Sequence, residues 1–152
     1  MSVVIRALLA LVLFSLSLSS IAGDLLMVRT QQTFPEAMLA LQTSIKEHGY
    51  KVVRVQRIDI GLTGMGYKTD KYRVVFVGKT DEIKYLVKKY PVLAAYMPPQ
   101  ISIFAEQGET VLVTANPRIY AEMVDDEADK VLFRRWENDV YSVFEDLRNA
   151  DD

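Results

Sequence analysis

The 152-residue chain contains no cysteine. In an oxidising compartment that excludes disulfides, thiolate metal sites and cysteine nucleophiles together. Histidine occurs once, at His48. Cationic excess is missing too: 18 lysines and arginines face 20 acids, a formal net charge of −2. A nucleic-acid partner wants a basic stripe, so this balance argues against one. The chain also lacks an apolar run of the ~20 residues that a membrane-spanning helix needs. Internal repeats and low-complexity tracts are absent as well.

What is present begins with a leader. The segment "MSVVIRALLALVLFSLSLSSIAG" carries one cation, Arg6, and an uncharged, mostly apolar run from Ala7 to Leu18. Small residues at Ser20 and Ala22 fit the narrow pocket of a signal peptidase, so cleavage is expected after Ala22, with Gly23 as the neighbouring choice. The expected location is the periplasm. An uncleaved leader would instead hold the chain at the membrane, and no cysteine follows it to accept a lipid. Loss of residues 1–22 removes Arg6 and leaves 17 cations against 20 acids, a net charge of −3. Roughly 130 residues remain, enough for one domain with a core of its own. The expected division is an α+β domain over 23–124, then an acidic linker and a C-terminal helix over 125–152 that packs on it.

The remaining pattern reads as alternating strands and helices. Asp24 to Arg29 is a strand. Thr33 opens a helix, with Glu36 completing a capping box and Pro35 in the first turn. Phe34, Ala37, Met38, Leu41 and Ile45 form its stripe, and His48-Gly49 ends it. "YKVVRVQRIDI" is a second strand whose phase slips at Arg57, which implies a bulge or a strand end. "GLTGMGYKTDK" reads as an irregular connection to a third strand, Tyr72 to Val77. A helix over Thr80 to Tyr90 follows, closed off by Pro91. Gln100–Glu106 and Thr110–Ala115 form a hairpin around Gln107-Gly108-Glu109. A short helical piece follows Asn116-Pro117. Leu132, Trp136, Val140, Val143, Phe144 and Leu147 then mark the last helix. The fold class is α+β on a single, mostly antiparallel sheet, in the order strand-helix-strand-strand-helix-strand-strand-helix. A ferredoxin-like split arrangement is the alternative.

Both faces of this sheet are apolar. Tyr72, Val74 and Phe76 share one face, while Val75 and Val77 lie with Arg73 on the other; Ile101 and Ile103 oppose Phe104, and Val111 and Val113 oppose Leu112. A half-exposed sheet should show one polar face. The first two helices are expected to take one face. The other is left for the C-terminal helix, a second subunit or an apolar ligand.

Several stretches tempt a chemical reading. "VVFVGKTDE" resembles the end of a phosphate-binding loop, but the first glycine of that loop would fall on Arg73, and strand-formers fill the interval. Thr80 reads instead as a helix cap with Asp81 and Glu82 in the first turn; no nucleotide is expected. "GLTGMG" lies between two strands rather than between a strand and a helix, so it reads as a bulged or flexible loop, with a lid as the functional alternative. His48 sits where a cation favours the helix C-terminus, and no partner for it can be placed from sequence. Met65 and Met97 are the methionines least explained by packing, and thioethers can bind copper or haem iron. Asp125, Asp126, Glu127 and Asp129 read as a solvated linker rather than a Ca²⁺ loop.

Phe34-x-x-Ala37 and Leu41, Gly49-Tyr50-x-Val52, the strand Tyr72 to Val77, Met97-Pro98 before a strand and Asn116-Pro117 after the hairpin resemble the bacterial family known as domain of unknown function 302. The resemblance covers Leu25 to Pro117. It implies a small α+β domain, often a dimer, and no settled activity. Family members tend to carry Cys-Asn-Pro where this chain has Gly78-Lys79-Thr80, and Leu-Pro-Cys where it has Met97-Pro98-Pro99. Any thiol chemistry in those relatives is therefore closed to this chain.

The expected function is an exported, non-catalytic binding or accessory protein that uses an apolar sheet face for a small ligand or a protein partner. Arg57, Tyr72, Arg73 and Tyr96 are the candidate ligand-binding residues. No cofactor, no nucleic acid and no stable membrane span after cleavage are expected. A homodimer that covers the face, together with the last helix, is the competing expectation. The alternative function is a redox carrier or enzyme holding metal or haem through Met65 or Met97.

Overall fold

Capping and chain reversal set the first elements. A computed structural model describes residues 23–150, so the leader and its cleavage site after Ala22 lie outside the described residues. Strand β1 (Leu25–Thr30) leads into helix α1 (Phe34–Glu47). The Glu36 carboxylate accepts the Thr33 N–H at 2.9 Å and the Thr33 hydroxyl at 2.6 Å, which fixes the start of α1. The chain leaves α1 through His48 and through Gly49 at φ +76°, a conformation open to glycine without a Cβ penalty.

Strand β2 (Lys51–Arg57) carries a register shift between Val52 and Arg54 and ends at Arg57. The phase slip in the sequence thus has two sources, a bulge and a strand end. Ile58 to Ile60, expected to prolong the strand, are helical: α2 spans Ile58–Gly64. Much of the expected irregular connection is therefore wound. Propensity is poor there, with Gly61 and Gly64 inside the helix. A tertiary contact holds it, because Asp59 in its first turn is ion-paired with Arg73 of the next strand.

Strand β3 (Tyr72–Gly78) runs directly into α3 (Thr80–Lys89). Thr80 is the first helical residue rather than the cap, which is Lys79. Asp81 and Glu82 occupy the first turn, where carboxylates favour the helix dipole. Gly78 has a packing role, since a Cβ there would collide with Ile83 Cδ1. After a 3₁₀ turn over Pro91–Ala95 come β4 (Gln100–Glu106) and β5 (Glu109–Ala115). Their two-residue turn has Gln107 at φ 52° and Gly108 at φ 87°, the signs that a twist-matched hairpin turn requires. A second 3₁₀ segment, Pro117–Met123, precedes helix α4 (Glu127–Asn149).

The five strands form one sheet in the order β1-β5-β4-β3-β2, every neighbouring pair antiparallel. That order is not the split ferredoxin-like arrangement. Leu26, Val28, Val75, Val77, Ile101, Ile103 and Leu112 face one side, where Ala37, Leu41 and Ile45 of α1 and Val143, Phe144 and Leu147 of α4 meet them. Both long helices therefore lie on one face. The expectation that α1 and α3 share a face and leave the other to the last helix is corrected. Spacing explains the outcome: five strands at about 4.8 Å span roughly 20 Å, which two helices about 10 Å apart cover. Helix α3 buries only Leu86 and joins a second core instead, with Leu93, Tyr120, Val124, Phe133 and Trp136. Glu82 ties that core together, accepting Trp136 Nε1 at 2.7 Å and an Arg135 nitrogen at 2.6 Å.

Candidate functional site: a pocket on the open sheet face

The register assigns the other face of the sheet row by row. One row is Tyr72, Phe104, Val111 and Arg29; the next is Gln56, Val74, Ser102, Val113 and Met27. Beyond these, Phe76 lies opposite Arg54 and Gln100, and Leu25 opposite Ala115. Leu25 and Met27, on edge strand β1, are 51% and 54% exposed. Arg29, Arg54, Gln56, Gln100 and Ser102 stand among the apolar side chains of this face, and its exposed apolar residues lie along β1.

At one end of that face lies a pocket of about 450 Å³. Its floor is sheet: Leu25, Phe76, Ser102 and Val113. One wall is Ala95 to Pro98, and Ile119 and Tyr120 from the second 3₁₀ segment form another. Among the described residues, no charged side chain lines it. The walls are pinned from behind. Fully buried Leu93 anchors the first turn, and the Val77 N–H donates to the Pro99 carbonyl at 2.9 Å. The Tyr120 ring lies 5.9 Å from Tyr96 and 5.7 Å from Phe133, which in turn meets Trp136 edge-on at 5.4 Å. Burial, and then the neighbouring Tyr96 phenol, push the Tyr120 hydroxyl up from its ordinary range. Tyr120 therefore stays neutral, able to donate or accept one hydrogen bond.

The sequence-predicted residues divide between the faces. Tyr96 lines the pocket, and Tyr72 lies on the same face, edge-on to Phe104 at 5.9 Å. Arg73 and Arg57 are opposite each other on the helix-covered side. Arg73 is ion-paired with Asp59 and lies 5.6 Å from the Phe34 ring. The structure thus brings the two tyrosines to one face and takes the two arginines to the other. Met97 lines the pocket, whereas Met65 ends α2 at 73% exposure. The two methionines share no site.

Other polar groups find structural work. Lys79 lies 4.6 Å from the Tyr50 ring, and the Tyr50 hydroxyl donates to Asp139 at 2.6 Å. His48 Nε2 is 3.0 Å from Asp146 Oδ2, to which Ser44 Oγ donates at 2.5 Å. A serine, a histidine and an aspartate therefore meet, but both partners address the carboxylate. No serine-to-histidine bond forms, so the step that activates a nucleophile has no route. Of the expected solvated acidic linker, Asp125, Asp126 and Glu127 are exposed, and the correction falls on Asp129, which is buried. Asp126 caps α4 through the Ala128 N–H at 2.8 Å, and buried Asp129 accepts from Lys89 at 2.8 Å and Tyr90 at 2.9 Å.

Sequence reasoning missed Tyr120, Gln100, Ser102 and Ile119. Ser102 gave the one available signal, a small polar residue in an otherwise apolar strand. Tyr120 gave none, because its 3₁₀ segment has no usable periodicity.

No curated protein matches the chain. A solved structure of an uncharacterized conserved protein DUF302 from Bacillus stearothermophilus is similar in fold, with a TM-score of 0.73 at 17% identity. The likeness covers 82% of this chain and 98% of that one. Residues 26–147 match the family described as Domain of unknown function DUF302, a span that takes in all of the sheet but Leu25 and nearly all of the last helix, and the chain belongs to that family.

Proposed function

We propose that this is an exported, non-catalytic binding protein of the cell envelope that holds a small ligand at the edge of its open sheet face. Export rests on the leader pattern of residues 1–22. Binding rests on one observation: both long helices lie on one face, and the other face ends in a pocket of about 450 Å³ whose described lining residues carry no charge. Ligand pockets run about 300–1,000 Å³, with mostly apolar walls and a few placed polar groups. Tyr96, Tyr120, Gln100 and Ser102 are those groups here.

The test is to purify the protein from the envelope fraction of its own host and compare native with denatured mass. An excess of a few hundred daltons that is lost on denaturation supports the reading. Stoichiometric metal or visible absorbance would overturn it in favour of a redox carrier. A second reading is a second copy of this chain on the open face. Exposed Met27, next to Leu25 of the pocket floor on edge strand β1, favours it. A clean, dimer-sized native mass would select that reading over the first.

A further inference from the structure

Buried polar groups normally find partners. Tyr50 donates to Asp139, Tyr90 to Asp129 and Trp136 to Glu82. Tyr120 differs: its ring is buried, but its hydroxyl stays open to the pocket. It is 5% exposed, yet its hydroxyl makes no hydrogen bond to any described residue. The hydroxyl is not sealed inside protein, and Tyr120 lines the pocket. Water serves that hydroxyl when the pocket is empty, and a polar atom of a ligand that enters the pocket can replace the water.

The remaining lining says what that group is attached to. Aromatic faces from Tyr96 and Phe76 and the Met97 thioether favour a ring, through edge and offset contacts and sulfur–aromatic contacts. No described residue of the lining carries a charge to compensate an ion taken out of water, so a charged ligand is disfavoured. The Gln100 and Ser102 side chains also make no hydrogen bond to described residues, which leaves room for a second polar contact.

We propose that the pocket selects a neutral, ring-bearing small molecule whose polar oxygen is met by the Tyr120 hydroxyl. This rests on the binding-protein reading above and adds the ligand's chemical class. The step is recognition only, with no bond made or broken.

Three probes of similar size separate the contributions: naphthalene, 2-naphthol and the anion 2-naphthoate, each titrated into the purified protein. 2-Naphthol is expected to bind tightest and 2-naphthoate weakest. Tyr120→Phe keeps the ring in the second core and removes only the hydroxyl. It is expected to weaken 2-naphthol roughly five- to tenfold and leave naphthalene unchanged. Should that variant fail to fold, Ser102→Val removes a second hydroxyl of the pocket lining and is expected to act in the same direction. Tight 2-naphthoate binding, or no loss of 2-naphthol affinity in the variant that folds, overturns the ligand class. If naphthalene still binds and Val113→Trp blocks it, the binding-protein reading survives that failure. If no probe binds and no small molecule co-purifies, both fall.

Discussion

Asn116 shows how one side chain can secure three segments. It is 1% exposed, and its amide nitrogen donates to the Gly23 carbonyl at 3.0 Å and to Glu137 at 2.6 Å. Its amide oxygen accepts the Arg118 N–H at 3.0 Å, capping the segment that carries Tyr120. Its own N–H donates to the Asp24 carbonyl at 2.7 Å. The start of β1, the pocket wall and α4 are thus joined at one residue, with Pro117 fixing the backbone that follows. Asn116→Ala should strand the Arg118 N–H and the Glu137 carboxylate, at a cost of about 1–3 kcal/mol. The expected readout is a lower urea midpoint with an unchanged slope, since the fold itself persists. Asn116→Asp should be no milder, because it sets a second carboxylate against Glu137 and loses the amide donors. A midpoint equal to wild type in both variants would show that the clamp carries no stability.

Helix α4 is the element that serves both cores. Its C-terminal half puts Val143, Phe144 and Leu147 under the sheet, while Phe133 and Trp136 near its start build the second core behind the pocket. Truncating either half should cost a large share of the stability: about 2–5 kcal/mol for Leu147→Ala and about 3–5 kcal/mol for Phe133→Ala, by transfer and cavity terms together. The two should differ in function. Phe133 supports the Tyr120 ring at 5.7 Å, so Phe133→Ala is expected to loosen the pocket and weaken probe binding. Leu147→Ala should leave it intact in the folded fraction. Equal binding losses would place the effect in global destabilisation. The sequence made α4 legible through its spacing, just as the Thr33–Glu36 pair marked α1 and period-two alternation sorted Val75 from Phe76. It did not reveal α2, where glycines hide a helix held by the Asp59–Arg73 pair. Nor did it say which face α4 covers, because both faces of the strands are apolar and the choice is made by layer geometry. Arg73 was legible as polar near an apolar face, but its partners Asp59 and Phe34 come from other segments.

For the whole molecule, charge sets the pH window. Hydrogen bonds and ion pairs hold several carboxylates below their ordinary range: Asp59 through Arg73, Asp126 through Lys89, Glu127 through Lys130, and Asp146 through Ser44 and then His48. A carboxyl depressed in the folded state adds stability that is present above its unfolded pKa and is lost as pH falls through the folded one. On the alkaline side, burial raises Tyr50 and Tyr120, and the Asp126 and Asp129 carboxylates raise Lys89. Groups raised on folding contribute below their unfolded pKa and lose that contribution as pH rises through the folded value. Stability should therefore be flat from about pH 5 to about pH 9, and fall below about pH 4 and above about pH 10. Most of these pairs are exposed, so the acid limb should be shallow and softened by salt. Asp146→Asn isolates one contribution. It should lower the plateau, because Ser44 and His48 lose a charged acceptor. The gap to wild type should then close as the pH falls through the lowered folded-state pKa of Asp146, where the native carboxylate is lost as well. A gap that stays constant across the acid range would mean that the Ser44–Asp146–His48 cluster acts by shape rather than charge, and urea denaturation at several pH values decides it.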